Sequence, residues 1–144
     1  MATEQVESWG VPWEQAFGYV QAVKHGDTIH LAGQFSHDGT GLVAPAPVDE
    51  HGRVTDYSTM AEQMRTTYAN ATELLARFGA TLDDVVEEVV YVLDMDSAFA
   101  AAGPVRKAAF GMELPQVATT ILVTPRLARP GQLVEISFTV KLKS

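Results

Sequence analysis

The chain has 144 residues, enough for one substantial core and too few for two, and it has no cysteine, which excludes disulfides, thiolate metal sites and a cysteine nucleophile. Its net charge of −8, with only ten Lys and Arg scattered along the sequence, argues against a nucleic-acid partner, because counterion release needs clustered cations. No apolar run approaches the roughly 20 residues of a membrane helix, and Met1-Ala2-Thr3-Glu4-Gln5 lacks the basic and apolar parts of a signal peptide, so a cytoplasmic protein with no membrane partner is expected.

Residues 1–16 form an acidic arm carrying Trp9 and Trp13, four apart. The two rings either pack on the chain's own sheet or form a lid over a pocket or a neighbouring subunit. Phe17 to Val23 and Thr28 to Ser36 read as two strands of a hairpin turned at His25-Gly26-Asp27. From His37 to Asp56 there is no periodicity, so this stretch is expected to be loop. A helix is predicted from Thr59 to Phe78, started by a Thr59-x-x-Glu62 capping box and ended by Gly79, with Met60, Met64, Tyr68, Ala71, Leu75 and Phe78 on one side.

Val85 to Leu93 is an almost continuous apolar strand, interrupted only by Glu87 and Glu88, as in a strand covered on both faces. Asp96 or Ser97 then caps a second helix to about Phe110. Gly103-Pro104 should kink it or split it in two, since proline removes a hydrogen bond and clashes with the preceding turn. Two β-branched runs between Leu114 and Lys141, joined by a connection rich in Pro, Gly and Arg, predict two more strands. In the last, Leu133, Glu135, Ser137, Thr139 and Lys141 share a polar face while Val134, Ile136, Phe138 and Val140 share a greasy one. This order has too many hairpins for a doubly wound fold and predicts an α+β domain with two helices on one face of a mixed sheet.

The four histidines show no ligand spacing, so neither a metal site nor a cofactor is expected. His30, just ahead of Ala32-Gly33-Gln34, points either at a pocket or away from it. Gly39-Thr40-Gly41 is too short for a phosphate loop.

Several blocks, in order, resemble the Rid (YjgF, reactive-intermediate deaminase) family: Tyr19-Val20-Gln21-Ala22-Val23, Gly26 to Gln34, Asp83-Asp84-Val85 leading to Tyr91-Val92-Leu93-Asp94-Met95-Asp96, Pro115, and Leu133-Val134-Glu135-Ile136. The resemblance spans about residues 17 to 141. It implies a chorismate-mutase-like fold over residues 1–144, assembled as a homotrimer with small-molecule pockets between subunits, where Ser137 and Thr139 would suit a semi-wet surface. It also implies Glu135 and Tyr19 as catalytic residues, with Gly33, Pro115, Val117, Thr119 and Arg106 as substrate-binding positions.

The pattern departs from the family's deaminating branch in one block. The arginine that grips a substrate carboxylate is replaced by Val117 and the following serine by Ala118, while the Asn and Tyr common on the second helix become Gly103 and Arg106. The expected function is therefore acid–base or water-activating chemistry on an imine, enamine or related reactive nitrogen compound, with poor 2-aminoacrylate deamination. The alternative is a non-catalytic binding trimer on the same fold. Arg126 and Arg129 either replace the missing guanidinium or are solvated loop charges, and the latter is the plainer expectation.

Overall fold

The structure, a computed structural model, describes residues 4–143. Its strands are β1 (Gln5–Glu7), β2 (Ala22–His25), β3 (Thr28–Gln34), β4 (Val85–Val92), β5 (Ala118–Val123) and β6 (Val134–Lys141), and its helices are α1 (Pro12–Phe17), α2 (Met60–Ala76) and α3 (Met95–Phe110). The six strands form one sheet in the order β1-β2-β3-β6-β4-β5. All neighbours are antiparallel except β4 and β5, which run parallel, so the sheet is mixed as the sequence predicts.

Period-two alternation in β6 decides which side is core. Val134, Ile136, Phe138 and Val140 are buried with Leu31, Val90 and Val92 from the neighbouring strands and with Met60, Met64, Tyr68, Leu74 and Leu75 of α2. Both long helices lie on this face. The alternate residues Glu135, Ser137 and Thr139 face the other way and are only partly covered by the chain itself. No described helix is long and apolar enough to cross a membrane.

The structure corrects the local expectations in three places. Phe17 ends the short helix α1 rather than starting a strand. Pro12 occupies its first turn, and the Glu14 carboxylate turns back to accept the N–H groups of Trp9 (2.8 Å), Gly10 (2.9 Å) and Val11 (3.1 Å). Gly18, at φ 93°, closes it in the left-handed region. Burial alone would raise the Glu14 pKa, but these backbone donors and the Gln21 side chain hold it below the usual carboxylate range.

The capping box at Thr59 does not form. Thr59 sits at φ −89° and ψ 5°, outside the extended region from which a cap reaches forward, and its buried hydroxyl has no partner. The second helix starts earlier than predicted, with Asp94 as its cap accepting Ser97 N–H at 2.9 Å, and it runs unbroken through Pro104. Pro104 and Ala100 are both exposed, so the carbonyl freed by the proline faces water while Ala98, Ala101 and Val105 keep the buried stripe. The stretch of residues 37–56 is mostly loop, as expected, and carries two isolated bridges, His37 with Leu42 and Val48 with Val54.

One polar side chain joins three segments of this fold. Gln63, fully buried on α2, donates to the carbonyls of Ala44 (2.9 Å) and Gly131 (2.8 Å) and accepts the N–H of Leu133 (2.9 Å). Replacing Gln63 with Ala strands the Leu133 N–H and the Ala44 carbonyl, while the Gly131 carbonyl keeps the Ala46 N–H (3.0 Å). At about 1–3 kcal/mol per unsatisfied buried group, the expected loss in urea unfolding is about 2 kcal/mol or more. A loss below about 1 kcal/mol, the net worth of one ordinary hydrogen bond, would show that the three segments hold without it.

Candidate functional site

A cleft of about 650 Å³ opens on the side of the sheet away from the long helices. Its floor is made where β3 passes β6. The pairing slips between Leu31 and Gln34, a bulge that sets Gly33 against Glu135. A Cβ on Gly33 would lie 2.7 Å from the Glu135 carboxyl carbon, so only glycine lets the carboxylate lie across the β3 backbone. The expected grouping of Glu135, Tyr19 and Gly33 is present: all three line this cleft.

The rest of the lining is aromatic and comes largely from α1. Trp13 and Phe17 stand over the floor, and Phe35 extends the wall beyond β3. Phe35 is 8% exposed, whereas Phe17 is 86% exposed and forms an apolar lip open to water. Of the two expectations for the tryptophan arm, the structure realises both. Trp9 packs on the chain itself, under the Arg77 guanidinium at 4.7 Å, and Trp13 roofs the cleft.

Arg129, from the β5–β6 connection, is not a solvated loop charge. Its guanidinium stacks 4.4 Å from the Trp13 ring centre and 5.4 Å from that of Phe35, which fixes a cation at the edge of the cleft. The cleft therefore has a guanidinium at its edge despite Val117. His37, edge-on to Trp13 at 5.3 Å, adds no second charge, since burial and then the Arg129 charge hold its pKa below the ordinary histidine value.

Glu135 has one hydrogen bond, a long one of 3.3 Å from the Gln132 amide. None of the ion pairs among the described residues includes it. Burial therefore pushes its pKa up, with Gln132 pulling the other way. Such a carboxyl can take up and release a proton closer to neutral pH than a solvated one.

Tyr19 ends a chain of side-chain hydrogen bonds whose direction is fixed at its far end. The Trp9 indole can only donate, and it donates to Gln34 Oε1 at 3.2 Å. Gln34 Nε2 must then donate, to Gln21 Oε1 at 2.9 Å, and Gln21 Nε2 in turn donates to the Tyr19 hydroxyl at 3.2 Å. The hydroxyl is thus an acceptor in this chain of bonds, and its own proton is used by none of the hydrogen bonds among the described residues. Burial, opposed by Gln21, raises the Tyr19 pKa and keeps that proton in place.

The other expected positions lie elsewhere within one chain. Arg106 and Thr119 belong to a cluster on the helix side of the sheet around Glu88, whose side chain is wholly buried. Arg106 bonds one Glu88 oxygen through Nε (3.0 Å) and Nη2, Thr119 donates to the same oxygen at 2.7 Å, and the Tyr68 hydroxyl donates to the other at 2.6 Å. Arg106 neutralises a buried carboxylate and is not free to serve the Glu135 cleft. Val117 lies against the core near Phe110 and Met112, and Pro115 precedes β5 at the sheet edge. His30, paired with Thr139 on the open face, stacks with His25 rather than reaching the cleft.

Comparison with known proteins adds the family. Residues 13–142 match the family described as Endoribonuclease L-PSP. An uncharacterized protein of Streptomyces coelicolor is 31% identical over 125 residues, covering 85% of this chain and 79% of that protein. The crystal structure of Rv2704 from Mycobacterium tuberculosis, described as a member of the YjgF family, aligns with a TM-score of 0.73 at 29% identity over 96% of this chain and 98% of that one. RidA from a Psychrobacter species aligns with a TM-score of 0.71 over 99% of each chain, and at 23% identity that likeness concerns the fold.

The Glu135 geometry gives a stability test. A carboxyl whose folded pKa lies above its unfolded value stabilises the fold fully only below the unfolded pKa, and that contribution is lost as pH rises through the folded pKa. Glu135→Gln should therefore match the wild type in stability below pH ~4 and become the more stable protein as pH rises through the raised folded pKa. Paired urea melts across pH would read this directly, and a variant less stable than wild type at pH ~8 would show that the charged carboxylate stabilises the fold after all.

Proposed function

The chain belongs to the Endoribonuclease L-PSP family, and on that footing we propose that it is a small-molecule enzyme of the Rid (YjgF) superfamily acting on an imine, enamine or related reactive nitrogen compound. The observation that carries this reading is a partly buried Glu135 with no charge partner, in one cleft with a Tyr19 hydroxyl that accepts from Gln21 and keeps its own proton unused. In hydrolysis of an imine, water adds its oxygen to the imine carbon, and the carbon–nitrogen π pair moves to nitrogen. Glu135 takes one water proton and gives it to the nitrogen, which makes a carbinolamine. It then takes the hydroxyl proton and passes it to the same nitrogen as the carbon–nitrogen bond breaks with its pair going to nitrogen, so the carbonyl forms and the amine or ammonia leaves. Tyr19 donates a hydrogen bond to the polar atom on which negative charge builds.

Arg129 gives the cleft a cation for an anionic substituent of the ligand, stacked so that its rotamer entropy is already spent. It comes from a different element than the position now held by Val117, so a standard 2-aminoacrylate deaminase is not what is proposed. The word endoribonuclease belongs to the family's description. A chain of net charge −8 with one arginine in its cleft offers no track for an RNA backbone. Val117 and Ala118 favour a second reading, a binding protein that has lost the chemistry.

The experiment that separates them supplies imines from an amino-acid oxidase and follows carbonyl product. Glu135→Gln should keep the fold and lower turnover by about 10²–10⁴, the worth of a positioned acid or base, and Tyr19→Phe should lower it less. Full activity in Glu135→Gln would make the carboxylate scaffolding and promote the binding reading.

The same reading extends to assembly as a homotrimer. It is supported by the uncovered sheet face and by the exposed edge strand β5, and a neighbouring copy could bring Pro115, Val117 and Thr119 to a shared pocket. Light scattering should return three times the 15.6 kDa chain mass, and a monomer at micromolar concentration rules the trimer out.

A further inference from the structure

Next to the Glu135 cleft lies a second depression of about 540 Å³, between the turn of residues 49–54 and the β5–β6 connection. Its lining includes Arg53, Arg126 and Arg129 and no Asp or Glu. In a chain with only ten basic residues and a net charge of −8, three arginines lining one hollow with no acidic lining residue are a local excess of positive charge. We propose that this hollow is a binding site for a multiply charged oxyanion, a phosphate or polycarboxylate group. The site does not depend on the role given to Glu135.

The cations are available. No ion pair among the described residues involves Arg53, Arg126 or Arg129, whereas Arg77 and Arg106 are both paired. Arg126 uses only its Nε, donating to the Leu127 carbonyl at 3.2 Å, and so keeps its terminal nitrogens. Asp49 is the carboxylate that feels Arg53, but its oxygen is engaged by the backbone N–H groups of His51 (2.8 Å) and Arg53 (3.0 Å). Those bonds, with the return bond from Asp49 N–H to the Arg53 carbonyl and the Val48–Val54 bridge, brace the turn that carries Arg53. On the far wall, the Gly131 carbonyl is held by Ala46 N–H and by Gln63, which steadies the segment carrying Arg129.

Tyr57 also lines the hollow and can add a hydroxyl donor, whereas His51 Nε2 faces the Glu50 carboxylate at 3.5 Å. Guanidinium forks suit the oxygens of phosphate and carboxylate, and fixed ones suit them better, because less side-chain freedom is lost on binding. Arg129 lines both this hollow and the Glu135 cleft. An anion here therefore touches the residue that forms the cleft's edge, and one ligand could place its charged end in the hollow and its remainder in the cleft.

The test is calorimetric titration of the protein with inorganic pyrophosphate and, separately, citrate at low ionic strength. At least one should bind saturably below about 10 mM and weaken as salt is added; which one binds more tightly tells phosphate from polycarboxylate. The Arg53→Gln/Arg126→Gln double variant, altered only at exposed positions, should fold normally and lose at least about tenfold in affinity, as expected when charge-assisted contacts are removed. Arg65→Gln, which changes an exposed arginine on another surface, should bind like wild type. No saturable binding of either anion, or equal affinity in the double variant, would overturn the site.

Discussion

The three hydrogen bonds of Gln63 are the constraint from which the candidate site follows. They bind one turn of α2 to the loop at Ala44, to Gly131 at the end of the β5–β6 connection, and to Leu133 at the start of β6. Between the last two anchors and just outside them stand Arg129, Gln132 and Glu135. A connection rich in proline, glycine and arginine would ordinarily be the least determined part of a small domain. Here its end is fixed by a side chain that has no competing water. The short run from Arg129 to Glu135 thereby becomes a rigid bracket, with the cation at one end and the carboxylate at the other.

The bracket matters because the surroundings of its two charges differ. Arg129 lies against the faces of Trp13 and Phe35, where a guanidinium is stabilised without a carboxylate. Glu135 is laid over Gly33 and covered by aromatic rings, where its charge is disfavoured. Nothing in the fold needs these two groups unpaired beside one another. A sequence selected for stability alone would close a salt bridge here or replace both residues with apolar ones, and the structure does neither.

Much of this was legible in the sequence where one physical rule dominated. Period-two alternation in Val134 to Lys141 identified the buried face and put Glu135 on the other, and helical spacing from Met60 to Leu75 placed α2 within two residues of its ends. What was illegible depended on contacts distant in sequence. The α1 helix forms because Glu14 folds back on three N–H groups, a role that its residue type does not announce. Gln63 reads as one polar residue on an apolar stripe. Arg129 reads as a loop charge until the roof formed by Trp13 is in place, although two tryptophans in a short arm were a signal that it docks on something. Arg106 was grouped with the site by its place in the sequence, and its real partner, Glu88, was visible only as an interruption of an apolar strand, with nothing to say that it faced the helices.

Glu88 and Glu135 together show how one sheet assigns two carboxylates opposite roles. They sit on adjacent strands, and the register pairs Glu88 with Phe138 and Tyr91 with Glu135, so alternation sends them to opposite faces. On the helix face Glu88 is fully enclosed, and an unpaired charge there would cost several kcal/mol. The fold accordingly gives it a guanidinium, a phenol and a threonine hydroxyl, which use its lone pairs and leave nothing for a ligand. On the open face Glu135 is only partly enclosed and meets one distant amide. That difference in satisfied hydrogen-bonding capacity, rather than burial or residue type, separates a structural carboxylate from one available for chemistry. It also explains why the more deeply buried of the two is not the candidate catalyst.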